Sequence, residues 1–350
     1  MPDLTRAGDI LSAGVTDGAF PAATAEVGTR DGIVWTAAYG CLAPEIGDEA
    51  TVDTVFDLAS LTKVIATTTL VMRAVDEGRI GLADRVRRWL PAWRGSDRDA
   101  VTIEDLLTHS AGLTAHLPFY RDHRGRAEFE HAICTLPLEC PPRTQALYSD
   151  LGFMLLGFIL ADSNGGRPLD RQFRALGEER DWGDLRFLPP ADWRRRTAPT
   201  EFDAWRGRLA RGEVHDENAW ALGGVAGHAG LFGSVRAVGA FARDILRGGH
   251  GDDPVAAPAT LIRFLTESRV PGSSRALGWD TMLPTSSCGT RMSSEAVGHT
   301  GFTGTSLWLD PRAGTYVALL TNRVHPTRAN DRILAVRPAF HDAVMLAFAG

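Results

Sequence analysis

Apolar and polar positions along the chain fall into runs whose period switches between two and about 3.6 residues. Residues 21–28 (PAATAEVG) and 32–39 (GIVWTAAY) read as two β-strands, with a hairpin turn signal in Arg30-Asp31-Gly32 between them. A helical pattern opens at Ser60 and continues to residue 77, where Gly78 supplies the stop. The stretch 82–224 is rich in Arg, Trp and Pro, with helical patterns at 102–109, 149–162 and 170–180 and no clear run of alternating strands. From Gly223 the chain turns glycine-rich (GGVAGHAGLFG), then helical over 235–247. The runs 305–309 and 315–320 flank Asp310-Pro311-Arg312-Ala313-Gly314 as a second hairpin, and a last helix covers 331–348. Strands at both ends with helices between them predict an α+β plan. Its domains are a discontinuous sheet domain, 1–82 plus 225–350, and a mostly helical domain over 83–224.

Over 350 residues the chain is 44% hydrophobic and 23% charged, enough apolar side chain for a sizeable core, which argues against a disordered chain or a small disulfide scaffold. A net charge of -6 gives no basic footprint for nucleic acid or an anionic membrane surface. No stretch approaches the length of a membrane-spanning apolar run, so no membrane partner is expected. The opening MPDLTRAGDILSAG lacks a basic segment followed by an apolar one, the pattern of a secretory signal, and a cytoplasmic location is expected. Cys41, Cys134, Cys140 and Cys288 are scattered with no C-x-x-C pair and fit reduced thiols. No nucleotide-binding glycine motif and no G-x-S-x-G elbow occurs, so neither a nucleotide cofactor nor an α/β-hydrolase site is indicated. His215, Asp216 and His228 are spaced too loosely for a metal site and are expected to line a cleft.

One count is sharper than the rest. Of 37 basic residues, only Lys63 is a lysine. Arginine serves solubility as well as lysine does, but it stays charged, whereas an amine can give up its proton. A position that keeps lysine in an otherwise all-arginine chain is a candidate base. Ser60 lies three residues before it, on the same face of a helix, within reach of the amine. With 15 serines in the chain, that spacing would arise by composition only about 4% of the time. A serine in the first turn also has free N–H groups and the positive helix end beside it, which stabilise a developing oxyanion and disfavour an ammonium at Lys63.

Ser60-Leu61-Thr62-Lys63 is an S-x-x-K motif, and it stands within FDLASLTK. VTIEDLLTHSAGL (101–113), YSDLGFMLLG (148–157), GGVAGHAGLFG (223–233) and GHTGFTGTSLWLDP (298–311) follow in order. The set resembles the serine β-lactamase and penicillin-binding-protein family, in its class C β-lactamase-related branch of esterases and peptidases. That resemblance implies a five-stranded antiparallel sheet flanked by helices, with the helical domain across the active-site cleft, and no cofactor or metal. It implies that Tyr148 shares proton transfer with Lys63, and that the N–H groups of Ser60 and Phe302 form an oxyanion hole. His299-Thr300-Gly301 takes the place of the family's K-T-G. There His299 would offer a partial positive charge or a hydrogen bond to a substrate carboxylate or carbonyl. Asp150 departs from the family's asparagine; an ionised carboxylate only accepts, and it would pair with Lys63 or with a cationic substrate amine. Asp57 is expected to cap the helix, and His109 to be structural.

The expected activity is a cofactor-free serine hydrolase that forms an acyl-enzyme on Ser60 and cleaves a small ester or amide. Two alternatives stand beside it. One is a muropeptide amidase or D-amino-acid peptidase of cell-wall recycling, implied by the VHDENA (214–219) and GGVAGHAGLFG phrases. The other is a non-catalytic sensor of β-lactams or peptidoglycan. The expected partner is a small-molecule ester, amide or muropeptide substrate.

Overall fold

The computed structural model describes residues 2–45, 47–249, 251 and 254–349. The chain begins with α1 (Thr5–Thr16), β1 (Ala22–Thr29), β2 (Gly32–Gly40) and β3 (Val55–Asp57). A π-helical stretch, Lys63–Thr68, leads into α2 (Thr69–Asp76), and α3 (Ile103–Leu107), α4 (Gly125–Thr135), α5 (Asp150–Asp162) and α6 (Leu169–Glu179) follow. Next come β4 (Leu185–Phe187), β5 (Phe202–Asp203), β6 (Arg208–Leu209), α7 (Glu217–Ala221), β7 (Leu231–Ser234), α8 (Val235–Gly248) and α9 (Pro258–Leu265). The chain closes with β8 (Asp280–Thr281), β9 (Val297–Thr300), β10 (Ser306–Asp310), β11 (Thr315–Thr321) and α10 (Ile333–Ala349).

The two predicted hairpins, β1–β2 and β10–β11, supply four neighbouring strands of one antiparallel sheet, in the order β2-β1-β11-β10-β9-β8. Both ends of the chain meet there, because β1 pairs with β11 from Ala23–Thr321 to Thr29–Thr315. These central strands are buried on both faces, and the period of two sorts their side chains. Tyr316, Ala318 and Leu320 enter the larger core with α8, while Val317 and Leu319 join the core under α1 and α10. The sheet has six strands where five were expected; the sixth, β8, is a two-residue edge strand.

The middle of the chain is organised by α5. Leu151 to Leu160 are buried without interruption, so this helix runs through the core with no solvent face. The segment is not free of strands, as the sequence suggested. β4 adds to β3 and β7 in a three-stranded sheet, and β5 pairs with β6. Strands of two or three residues are too short to show an alternating pattern. Among the described residues no helix is long and apolar enough to cross a membrane.

What positions the site is the junction between β3 and the turn after β9. The Thr303 hydroxyl donates to the Asp57 carbonyl at 2.7 Å, and the Thr305 hydroxyl donates to the Leu58 carbonyl at 3.1 Å. Gly301 makes this approach possible. A Cβ there would stand 2.6 Å from Leu58 O and 2.1 Å from Thr305 Oγ1. Gly301→Ala is therefore expected to lose about 1–3 kcal/mol in urea unfolding, because backbone on one side leaves little room to relax. An unchanged unfolding midpoint would contradict this account of the junction.

Candidate active site

Ser60 sits at the end of a tightened turn. Ala59 adopts φ +46°, the left-handed region that residues with a Cβ seldom occupy. Asp57 holds the turn: its Oδ1 accepts the Ala59 N–H at 2.8 Å and its Oδ2 accepts the His215 N–H at 2.6 Å. The carboxylate thus joins two segments instead of capping the helix, as the sequence had suggested. Helical bonding starts at once, with Lys63 N–H donating to Ser60 O at 3.0 Å.

The serine and the lone lysine meet. Lys63 is fully buried, and its Nζ donates to Ser60 Oγ at 2.9 Å, to Asp150 Oδ1 at 2.7 Å and to the His228 carbonyl at 3.3 Å. An ammonium has three protons to give, and this one has three acceptors. Burial presses Lys63 toward the neutral amine, but Asp150 and Tyr148 facing it outweigh burial and leave its pKa above the ordinary lysine value. Burial likewise opposes the Asp150 carboxylate, yet the Lys63 charge, the His116 imidazole 3.6 Å away and the nearby His228 hold it well below the usual carboxylate range. The resting pair is ammonium and carboxylate. The expected effect of the helix end, an amine biased toward neutrality, is overridden by Asp150.

Two close approaches bring these groups together. Thr67 Oγ1 donates to the Gly227 carbonyl at 2.6 Å, tying the π-helical stretch to the glycine-rich loop. A Cβ on Gly227 would fall 2.0 Å from Phe153 O on α5, so only glycine lets this loop lie against that helix and present the His228 carbonyl.

Tyr148 stands just ahead of α5 with its ring facing the amine, Nζ lying 4.9 Å from the ring centroid. His109 supports it. Its Nδ1 accepts the Ser149 N–H at 3.0 Å, and its ring lies 4.7 Å from the tyrosine ring. On the other side the Arg275 guanidinium lies 5.2 Å from the Tyr148 ring. His299 corrects an expectation. Its Nδ1–H donates to the Thr300 carbonyl at 2.8 Å, and burial, then the charges of Arg275 and Lys63, push its pKa well below the usual histidine value. The ring is neutral, and its remaining nitrogen can only accept, so it offers no positive charge to a carboxylate.

Ser60, Tyr148, Asp150, His299, Thr300, Gly301 and Phe302 all line one cleft of about 650 Å³. Neither the Ser60 N–H nor the Phe302 N–H has an acceptor among the described residues, which leaves both available to an oxyanion. His215, Asp216 and His228 line the same cleft, with His228 Nε2 donating to Asp216 Oδ1 at 2.9 Å. Four cleft residues carried no local sequence signal: His116, Arg275, Arg323 and Arg337. His116 Nδ1 comes within 3.6 Å of Asp150 Oδ2 because Asp150 N–H donates to Ala115 O and Ser149 Oγ to Thr114 O. Only the folded chain makes that loop a neighbour.

The β-lactamase family profile matches residues 8–339. The chain belongs to the β-lactamase family. A relative from Escherichia coli (strain K12), provisionally named D-alanyl-D-alanine carboxypeptidase, is 32% identical over 319 residues, covering 81% of this chain and 72% of its own. A protein of the same name from Escherichia coli O157:H7 is 30% identical and covers 90% of this chain and 81% of its own. Among solved structures, EstCE1, a hydrolase with promiscuous acyltransferase activity, superposes with a TM-score of 0.76 at 22% identity, covering 96% of this chain and 98% of its own. A penicillin-binding-protein homologue from Caulobacter crescentus superposes at 0.77 with 20% identity, covering 98% and 97%. These structures share the fold of the chain. As a β-lactamase-family protein it is a serine hydrolase, and of the S-x-x-K pair Ser60 lines the cleft while Lys63 is buried against it.

The buried imidazoles make this β-lactamase-family fold sensitive to acid. Burial depresses His109 and His299 well below the usual histidine value, and His341 to about 3. A folded-state pKa below the unfolded one, about 6.5, means stability is complete above pH 6.5 and lost as pH falls toward the folded value. Each of the three should remove stability as the pH falls below that point. His116, whose pKa is raised chiefly by the Asp150 carboxylate 3.6 Å away, works in the opposite sense. Urea unfolding should show a clear fall in stability from pH 6.5 to pH 5; a flat profile would refute it.

Proposed function

We propose that the chain hydrolyses small ester and amide substrates through an acyl-enzyme on Ser60, with peptides ending in a D-amino acid, or muropeptides, as the natural amide class. One contact carries the reading: the fully buried Lys63 Nζ lies 2.9 Å from Ser60 Oγ and 2.7 Å from Asp150 Oδ1. The name of the relatives supports the peptide class. A sensor acylated once on Ser60 would need the same pair, and turnover of the acyl-enzyme separates it from a hydrolase.

An ammonium cannot take a proton, so the carboxylate beside it is the first acceptor. Substrate entering the cleft displaces water around Asp150, and a drier site weakens an ion pair relative to its neutral form. One proton passes from Lys63 to Asp150, and the freed amine takes the Ser60 hydroxyl proton as the Oγ–carbon bond forms. The oxyanion rests between the N–H groups of Ser60 and Phe302. The bond to the leaving group then breaks while Tyr148 gives that group a proton and is reprotonated from Lys63. Asp150 returns its proton to the lysine, so the serine proton ends on the leaving group. Water repeats the sequence on the acyl-enzyme.

Ser60→Ala should lose at least about 10⁴-fold in turnover of a p-nitrophenyl ester and all labelling by a fluorophosphonate. Retained labelling would remove Ser60 from the reaction. Lys63→Arg should be as inactive as Lys63→Ala to within about tenfold, because a guanidinium cannot release its proton; a native rate would exclude the lysine as base.

Asp150→Asn tests the relay through pH. The native productive form holds one proton between Lys63 and Asp150, and acid destroys it only when the carboxylate gains a second, well below the usual carboxylate range. In Asp150→Asn the productive form needs a neutral lysine, so the acid limb of kcat/KM should move to higher pH. A limb that stays in place would show that Asp150 takes no part in the proton path.

A further inference from the structure

Among the described residues four histidines line the cleft, His116, His215, His228 and His299. Three of them are buried, each with a ring nitrogen already committed. His215 Nε2 faces Glu201 Oε1 at 2.9 Å, His228 Nε2 donates to Asp216 Oδ1 at 2.9 Å, and His299 Nδ1 donates to the Thr300 carbonyl at 2.8 Å. His116 is different. Its side chain is 46% exposed, so its imidazole exchanges protons with solvent while the other three are shielded. Its Nδ1 lies 3.6 Å from Asp150 Oδ2, and Lys63 Nζ holds the other oxygen, Oδ1, at 2.7 Å. One carboxylate therefore stands between a buried amine and a solvent-facing imidazole. The placement is fixed by the chain: Asp150 N–H donates to Ala115 O at 2.9 Å and Ser149 Oγ to Thr114 O at 2.7 Å.

The charged groups that face His116 are Asp150 on α5 and, more distantly, Asp216 and Glu217 at the start of α7. Lys63 lies behind Asp150, and Arg328 pairs with Glu217. Asp150 above all holds the imidazole proton more firmly than usual, against the effect of burial. An ordinary histidine loses its proton near pH 6.5, so a group held slightly above that value titrates across the neutral range. The relay through Asp150 requires this carboxylate to accept a proton from Lys63. With His116 charged, the transfer leaves an imidazolium facing an uncharged acid. With His116 neutral, the same transfer leaves no charge among the three groups, which suits a site that substrate has dried.

We propose that His116 is a positioning residue for the proton relay: while charged it holds Asp150 as a carboxylate and Lys63 as an ammonium, and once its proton has passed to water Asp150 can take the lysine's. The inference rests on the acyl-hydrolase reading. The proton that His116 releases goes to solvent and takes no part in making or breaking bonds, so the exchange among Lys63, Asp150, Ser60 and Tyr148 balances as before. The role depends on an acid at position 150, since an amide there would give the imidazole no carboxylate to control.

The experiment follows kcat/KM for p-nitrophenyl butyrate from pH 6 to pH 8.5 in the native protein and in His116→Gln. The native value should climb about three- to fivefold over a step centred above pH 6.5, the size of effect that a partly exposed ion pair gives. This partial step is separate from the complete loss at much lower pH, where Asp150 gains a second proton. His116→Gln carries no charge at any pH and should keep the native alkaline value throughout, with no step. A native profile that is flat over this range would overturn the proposal, as would a step that survives in His116→Gln. A uniform loss at every pH in that variant would also overturn it, because a merely structural role gives that result. His116→Asn stands in for a His116→Gln that does not fold. If the native protein turns over no ester, the acyl-hydrolase reading fails, and the pair is then read directly by histidine NMR. The His116 resonance, assigned by its absence from the His116 variant, should titrate above pH 6.5 in the native protein and at lower pH in Asp150→Asn. An unmoved titration would show that Asp150 does not hold the imidazole, and the proposal would fall.

Discussion

A lysine ammonium with no exposed surface must be met by acceptors, and that requirement organises the site. The three acceptors of Lys63 come from places far apart in the chain: the hydroxyl at 60, the carboxylate at 150 and the carbonyl at 228. Leaving a buried charge short of a partner costs several kcal/mol, so the contact fastens the end of β3, the start of α5 and the glycine-rich loop to one point. The sheet, the buried helix and the loop are placed relative to one another by what one amine needs. That is also why glycine stands at 227, where α5 and the loop come together backbone to backbone.

Two electrostatic arguments compete at this point. Lys63 lies within the first turn of a helix that begins just after Ser60, where the dipole disfavours a cation. Asp150 opens α5, where the dipole of a second helix favours an anion. A carboxylate at 2.7 Å is a full charge, whereas a helix end is about half of one, spread over several N–H groups. The direct pair therefore decides the resting protonation state. An asparagine at position 150 would have left the dipole and burial acting together toward a free amine. In the proposed mechanism this chain reaches the same amine by another route, because its carboxylate can hold the proton that the lysine has to lose.

How far the sequence revealed this arrangement depended on whether the signal was local. The i, i+3 spacing of Ser60 and Lys63 could be read directly, because a helix converts sequence distance into spatial distance. Strands of seven to nine residues in β1, β2 and β11 showed their period, whereas β4, β5, β6 and β8, with two or three residues each, were too short to show one. α1 was missed although it packs against α10 beneath the sheet. His116 was invisible for a different reason. Nothing in its neighbourhood marks it, and its place beside Asp150 follows from two hydrogen bonds that tie the 114–116 loop to α5. Asp57 was assigned the commonest role of its residue type, a cap. The observed role, holding Ala59 and His215 together, needs a loop some 150 residues away.

The neutral state of His299 bears on where substrate charge can be recognised. A histidine with its proton committed to the Thr300 carbonyl, within the fields of Arg275 and Lys63, gains a second proton only against two cations in a buried site. Positive charge in this cleft must come from groups that hold their protons when buried. Arginine does so more reliably than lysine or histidine. Arg337 keeps a pKa of about 10 despite burial and the nearby charge of Arg323, so it remains cationic across the neutral range.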